Sequence, residues 1–235
     1  MSSEPVFAAG AIRRPLIVRR IASARVMRLA VDPRDGGVRL TLPRRASEAQ
    51  GRRWAEAQRT WIETELARLP CPRPFTDGGR IPFRGAEARI VWSASAPRQP
   101  GFDGEVILLG GAIESLPRRM LAWLRAEALA TLAAETEAIA ARAGVSIGRV
   151  TTGDPRGRWG SCSAKGDIRY SWRLILAPPE VLRSTVAHEV AHRLHMDHSP
   201  VFRAAEARLL GADPAPARAW LREHGAALYW VGRTG

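Results

Sequence analysis

The stretch Val186-Ala187-His188-Glu189-Val190-Ala191-His192-Arg193-Leu194-His195-Met196-Asp197-His198-Ser199-Pro200 decides how this 235-residue chain is read. It holds four of the chain's five histidines, the fifth being His224. Its centre, His188-Glu189-Val190-Ala191-His192, has the H-E-x-x-H pattern. Four residues advance an α-helix by about 400°, so both imidazoles leave the same side, one turn apart. Two ring nitrogens can then meet one metal ion at about 2.0–2.1 Å. Glu189, beside the first histidine, can reach a water at the metal without itself binding the ion. Leu182, Val186, Val190 and Leu194 recur every four residues on roughly the opposite side, so the helix can turn one side to a core and the other to a cleft. Pro178-Pro179 and Glu180 are a suitable helix start, through ring-fixed φ and a carboxylate near the positive dipole end.

A catalytic zinc usually takes three protein ligands and keeps one position for water. His198 is the candidate third ligand. Ser199-Pro200 reads as an N-cap and first residue of a new helix, so the chain turns before it and can swing His198 back toward the metal. Two competitors stay open. His195 lies on the same face but about 10.5 Å of helical rise from His188, so a straight helix converges poorly on three ligands. Glu206, on the next helix, offers a carboxylate. His224 precedes Gly225 near a helix C-terminus, where a favourable dipole position accounts for it.

Outward from this stretch, the pattern is α+β. Residues 15–20, 25–31 and 38–42 are strand-like, and Asp35-Gly36-Gly37 is a turn signal, so a small antiparallel meander is expected. Ser47 with Gln50 is a capping box that opens a helix through Trp54 and Trp61, stopped by Pro70. Strand candidates at 80–84, 88–92 and 105–109 form a second sheet or continue the first. The Ala- and Leu-rich stretch 117–143 is a long helix ending at Gly144. Strands are expected at 145–152 and 167–176, and helices at 179–195, 199–210 and 214–224. With no internal repeat or low-complexity linker, the expectation is one unit over 1–235, with a β-rich N-terminal part at 1–112 and the catalytic part at 113–235.

Composition bounds the rest. Apolar residues make up 46% and charged residues 25%, which excludes a mainly disordered chain. Apolar runs break well before 18 residues, so no membrane-spanning helix is expected. The first ten residues lack a basic stretch followed by an apolar core, so no signal peptide is expected and a reducing cytoplasm is the default. Cys71 and Cys162 cannot make a disulfide framework. The net charge of +13 comes from 36 basic and 23 acidic residues, and one of the basic residues is Lys165, the rest arginines. The arginines are spread along the whole chain. The charge permits weak contact with nucleic acid but specifies no function.

These residues resemble the YgjP-like predicted metal-dependent hydrolases, relatives of the SprT-like and WLM-type zinc metallopeptidases. The likeness rests on His188-Glu189-x-x-His192 with His198-Ser199-Pro200-x-Phe202, on Arg158-Trp159-Gly160-Ser161-Cys162-Ser163, and on Trp172-Arg173-Leu174-Ile175-Leu176-Ala177-Pro178-Pro179. The short basic strands, Pro43 and the helix with Trp61-Ile62 also fit. The resemblance implies a zincin-like metallopeptidase fold, one zinc ion held by His188, His192 and His198, and Glu189 as the catalytic carboxylate. Family members often carry Asn close to the tryptophan of the third signature. Here Tyr170-Ser171 stands there, so any alignment of a substrate backbone by that amide passes to Ser171.

The expected activity is hydrolysis of a peptide or protein substrate by metal-activated water with Glu189 as general base. Arg158, Ser161 and Arg173 are the candidates for holding the oxyanion or a substrate carboxylate. The 159–163 segment otherwise reads as a tight turn packing Trp159 under the site. Cys162 is a remote candidate for metal ligation or nucleophilic attack. An extended substrate is expected along the strand at 167–173, by β-augmentation. The alternative function is a nucleic-acid-associated, SprT-like protein acting on DNA-bound proteins or carrying a structural metal. The sequence shows no zinc ribbon, helix-turn-helix pattern or concentrated basic tail to favour it.

Overall fold

The computed structural model describes residues 5–10 and 12–234. Residues 1–4, on which the reading of the N-terminus partly rests, lie outside the described residues. The chain divides into two compact units, Met1–Pro72 with Thr234–Gly235, and Arg73–Arg233. The architecture is mixed α and β.

The first unit contains β1 (Val6–Ala9), β2 (Ile12–Arg20), β3 (Arg28–Val31) and β4 (Val38–Leu42), in the order β1-β2-β4-β3. The expected antiparallel meander is corrected here, because β4 runs parallel to β2 and lies between β2 and β3. The Asp35-Gly36-Gly37 turn does make β3 and β4 an antiparallel hairpin. Burial explains the order. Val38, Leu40 and Leu42 of β4 are fully buried, which suits a central strand, whereas β3 is short and half-exposed, which suits an edge. The single helix expected after Ser47 is two, α1 (Glu48–Ala57) and α2 (Arg59–Ala67), separated at Gln58. The Ser47 hydroxyl accepts the Gln50 N–H at 3.4 Å, as the cap predicts.

The second unit opens with β5 (Arg80–Phe83), β6 (Ala86–Trp92), β7 (Gly101–Phe102) and β8 (Val106–Leu109), a separate sheet in the order β5-β6-β8-β7. This repeats the strand order of the first sheet, a likeness invisible in the residues themselves. Helix α3 (Leu116–Ala143) follows, ending before Gly144 as expected. The third sheet contains β9 (Val150–Gly153), β10 (Gly160–Cys162) and β11 (Ile168–Ser171), in the order β10-β11-β9. The expected strand to 176 stops at Ser171, where a 3₁₀ turn (Trp172–Leu176) begins. The Ser171 hydroxyl accepts the Arg173 N–H at 3.3 Å and turns the chain into that bend.

Three helices complete the unit: α4 (Pro179–Ala191), α5 (Pro200–Leu210) and α6 (Ala215–Leu228). Leu182, Val186 and Val190 of α4 are buried in the core that α3 also enters. Each contributes about 1.5–3 kcal/mol relative to exposure. Ile168 and Tyr170 of β11 are buried in the same core. The Tyr170 hydroxyl pairs with Thr136 Oγ1 of α3 at 3.0 Å, and Thr136 donates onward to the Leu132 carbonyl. One side of α4 is thereby locked, and its other side is left to a cleft.

Candidate metal centre

Helix α4 ends four residues sooner than its periodicity suggests, and this decides the site. His188 sits in the last turn and His192 is the C-cap residue. The chain then turns, and the Asp197 carboxylate accepts the Ser199 N–H at 3.3 Å. The Ser199 hydroxyl in turn caps α5 by accepting the Phe202 N–H at 3.3 Å. His198 is carried back to the helix it has left. One ring nitrogen from each of His188, His192 and His198 lies within 4.8 Å of the others. His188 Nε2 and His198 Nε2 are 3.3 Å apart. Two nitrogens bound tetrahedrally to one zinc ion are also about 3.3 Å apart. Phe202, 1% exposed, packs against all three rings at centroid distances of 5.1, 4.7 and 4.9 Å.

The outer nitrogens are already engaged. His188 Nδ1 lies 3.1 Å from Glu206 Oε1, and His192 Nδ1 lies 3.3 Å from the His195 carbonyl oxygen. Donating there, each ring keeps its Nε2 lone pair for an ion. Burial lowers the His192 pKa, reinforced by His188, which favours the neutral, ligating form. The donor set therefore fits a divalent cation that accepts imidazole, zinc among them.

The two competitors for third ligand stand in supporting positions. His195 supplies a backbone carbonyl. Glu206 is 1% exposed and lies behind His188, where its two oxygens also accept from Arg218 Nη1 at 3.1 and 3.0 Å. Burial pushes the Glu206 carboxyl up, but the bonds from His188 and the charge of Arg218 outweigh it and hold the group below its ordinary value. A fixed carboxylate on the outer nitrogen orients the ring and raises its basicity.

Glu189 is 4% exposed. Burial pushes its carboxyl up to about 7, against the opposing pull of His188 and Arg158. Its place is made by Gly160, a residue the sequence reading passed over as part of a turn. A Cβ at Gly160 would lie 2.7 Å from Glu189 Cδ and Cγ, and closer still to Oε1. A glycine inside a strand often marks close approach of another group, but no strand is expected at 160, so the residues alone carried no such signal.

Of the three candidate donors, Arg158 and Ser161 line a cavity of about 270 Å3 with His188, Glu189, His192 and His198. Arg173 does not, and its assignment is corrected. Its Nε and Nη2 bind Asp154 at 2.8 and 3.0 Å, and its Nη1 donates to the Leu228 carbonyl at 2.6 Å. It is 7% exposed and sits 4.5 Å from the Trp172 ring centroid, so it braces the end of α6. Ser171 is fully buried as a turn cap and cannot align a substrate. Cys162 lines the cavity, but burial pushes its thiol up, away from the reactive thiolate. His224 packs on Trp220, away from the three-histidine group.

The expected docking strand also changes. β11 is central and both its edges are paired, so it cannot accept another strand. The free edge at this cavity is β10. Ser171 N–H donates to the Trp159 carbonyl at 2.8 Å and Ser163 N–H to the Asp167 carbonyl at 2.9 Å. Alternation then turns the N–H and C=O of Gly160 and Cys162 outward.

A family model described as YgjP-like, metallopeptidase domain, matches residues 26–224. No curated protein and no solved structure matches the chain. Among the described residues, no helix is long and apolar enough to cross a membrane.

Proposed function

The chain belongs to the YgjP-like metallopeptidase family, and on that premise we propose that it is a zinc-dependent peptidase whose centre is His188, His192, His198 and Glu189. The observation that carries this reading is the convergence of three imidazoles, two of them with Nε2 atoms 3.3 Å apart, beside a buried carboxylate. The arrangement is zincin-like: a metal-binding helix, α4, packed against a small sheet, within the catalytic part at 113–235.

A zinc ion held by the three histidines supplies Lewis acidity, polarising a carbonyl and making water more acidic. The chain's own residues do the remainder. Glu206 and the His195 carbonyl hold the rings of His188 and His192 in the ligating tautomer. Glu189, with a pKa near 7, takes a proton from the attacking water and returns it to the leaving amine. The Arg158 guanidinium holds the oxyanion, whereas the Ser161 side chain, next to Gly160 and opposite Arg169, turns to the other face of the sheet. The outward N–H and C=O groups of Gly160 and Cys162 pair an extended substrate backbone.

The test compares two variants of the purified protein. Glu189→Gln should retain one zinc by elemental analysis and lose casein hydrolysis, whereas His192→Ala should lose both. Hydrolysis surviving in Glu189→Gln rejects the proton role given to that residue.

A further inference from the structure

We propose that the open face of the β10-β11-β9 sheet binds an acidic stretch of the substrate polypeptide. The inference rests on the peptidase reading and names its substrate class. A cavity of about 840 Å3 lies over this face. It shares Arg158, Ser161 and Cys162 with the cavity at the histidines, so the two adjoin along β10.

The sheet face is built for anions. Ile168 and Tyr170 of β11 point into the core, so Arg169 between them points to the open side. Its cross-strand neighbours are Ser161 on β10 and Thr151 on β9, and both line the cavity. The Arg169 guanidinium lies over Gly153, where a Cβ would come 2.6 Å from Nε and 2.9 Å from Cζ. The missing side chain lets that arginine lie across the sheet. Arg149 and Arg158 complete the basic lining. Arg149 and Arg169 form no ion pair or side-chain hydrogen bond among the described residues, in contrast to Arg173 and Arg218 nearby. The lining has a single carboxylate, Asp167, whose Oδ1 accepts the Arg149 backbone N–H at 2.8 Å, against the guanidiniums of Arg149, Arg158 and Arg169.

Free guanidiniums recognise carboxylates bidentately. Hydroxyls from Thr151, Ser161 and Ser163 add donors. Nucleic acid is the weaker match, since the cavity lining has no aromatic side chain to stack a base. An extended polypeptide paired with the β10 edge would turn every second side chain toward this face.

The experiment measures binding to full-length Glu189→Gln protein by fluorescence anisotropy. The probes are a short Asp/Glu-rich peptide, its Asn/Gln counterpart and an oligothymidylate of equal charge. The acidic peptide should bind about tenfold tighter than its amide counterpart at low salt, and the preference should fade at high salt. Arg149→Gln with Arg169→Gln should reduce the preference to within about twofold while the melting temperature holds. Equal affinity for the two peptides overturns the proposal. So does an oligothymidylate that binds tighter than the acidic peptide and displaces it. Casein hydrolysis by wild-type protein is measured in parallel. Acidic preference without any hydrolysis leaves this surface standing and removes the peptidase reading.

Discussion

Gly160→Ala places one methyl group where the Glu189 carboxylate lies. The added Cβ would be 2.7 Å from Glu189 Cδ and Cγ. Comfortable carbon–carbon separation starts near 3.5 Å, so the carboxylate must retreat by about 0.8 Å. The atoms that yield are the end of a flexible side chain, and Gly160 is in an ordinary strand conformation, so folding is little affected. Catalysis is more exacting, because a 1 Å misplacement of a reacting group can cost about a hundredfold, or roughly 2.7 kcal/mol of barrier. The expected result in a casein-hydrolysis assay is a kcat about a hundredfold lower, with KM and zinc content near wild type and the melting temperature within a few degrees. A kcat within about threefold of wild type would refute the claim that Gly160 sets the position of Glu189. Loss of zinc together with activity would also refute it, since the substitution touches the carboxylate and not the histidines.

Two further outcomes follow from the groups around the centre. Glu206→Ala removes the acceptor for His188 Nδ1–H and leaves Arg218 without its carboxylate; zinc affinity by competition with a chromogenic chelator should fall by about 10–100-fold. Asp154 gives a pH dependence. Burial pushes its carboxyl up, but the bidentate Arg173 guanidinium outweighs this and holds it below the ordinary 3.8. A depressed folded-state value stabilises the fold above the unfolded-state value and is lost as pH falls through the folded one. Melting temperatures taken from pH 6 down to pH 3 should therefore drop more steeply for wild type than for Asp154→Asn, chiefly below about pH 4; parallel curves would remove Asp154 from the acid response.

The primary structure alone carried the elements whose cause is local. His188 and His192 four residues apart, the Ser199-Pro200 cap and the Leu182-Val186-Val190 stripe are set by helical geometry and hydrophobic period, and the observed α4 and α5 follow them. The likeness to a metallopeptidase family was legible for the same reason, since the family model spans the residues that hold those short signatures. What depended on long-range packing was not legible. The insertion of β4 between β2 and β3 is chosen by which strand buries best, and no turn residue encodes it. Arg158 and Arg173 are alike as residues, yet one faces a cavity and the other is consumed by Asp154 and the end of α6. Glu206 became the partner of His188, and Gly160 the seat of Glu189, across separations that no periodicity spans. Spacing along a helix brings two imidazoles to one side, but only the folded chain sets which carboxylates and guanidiniums surround them.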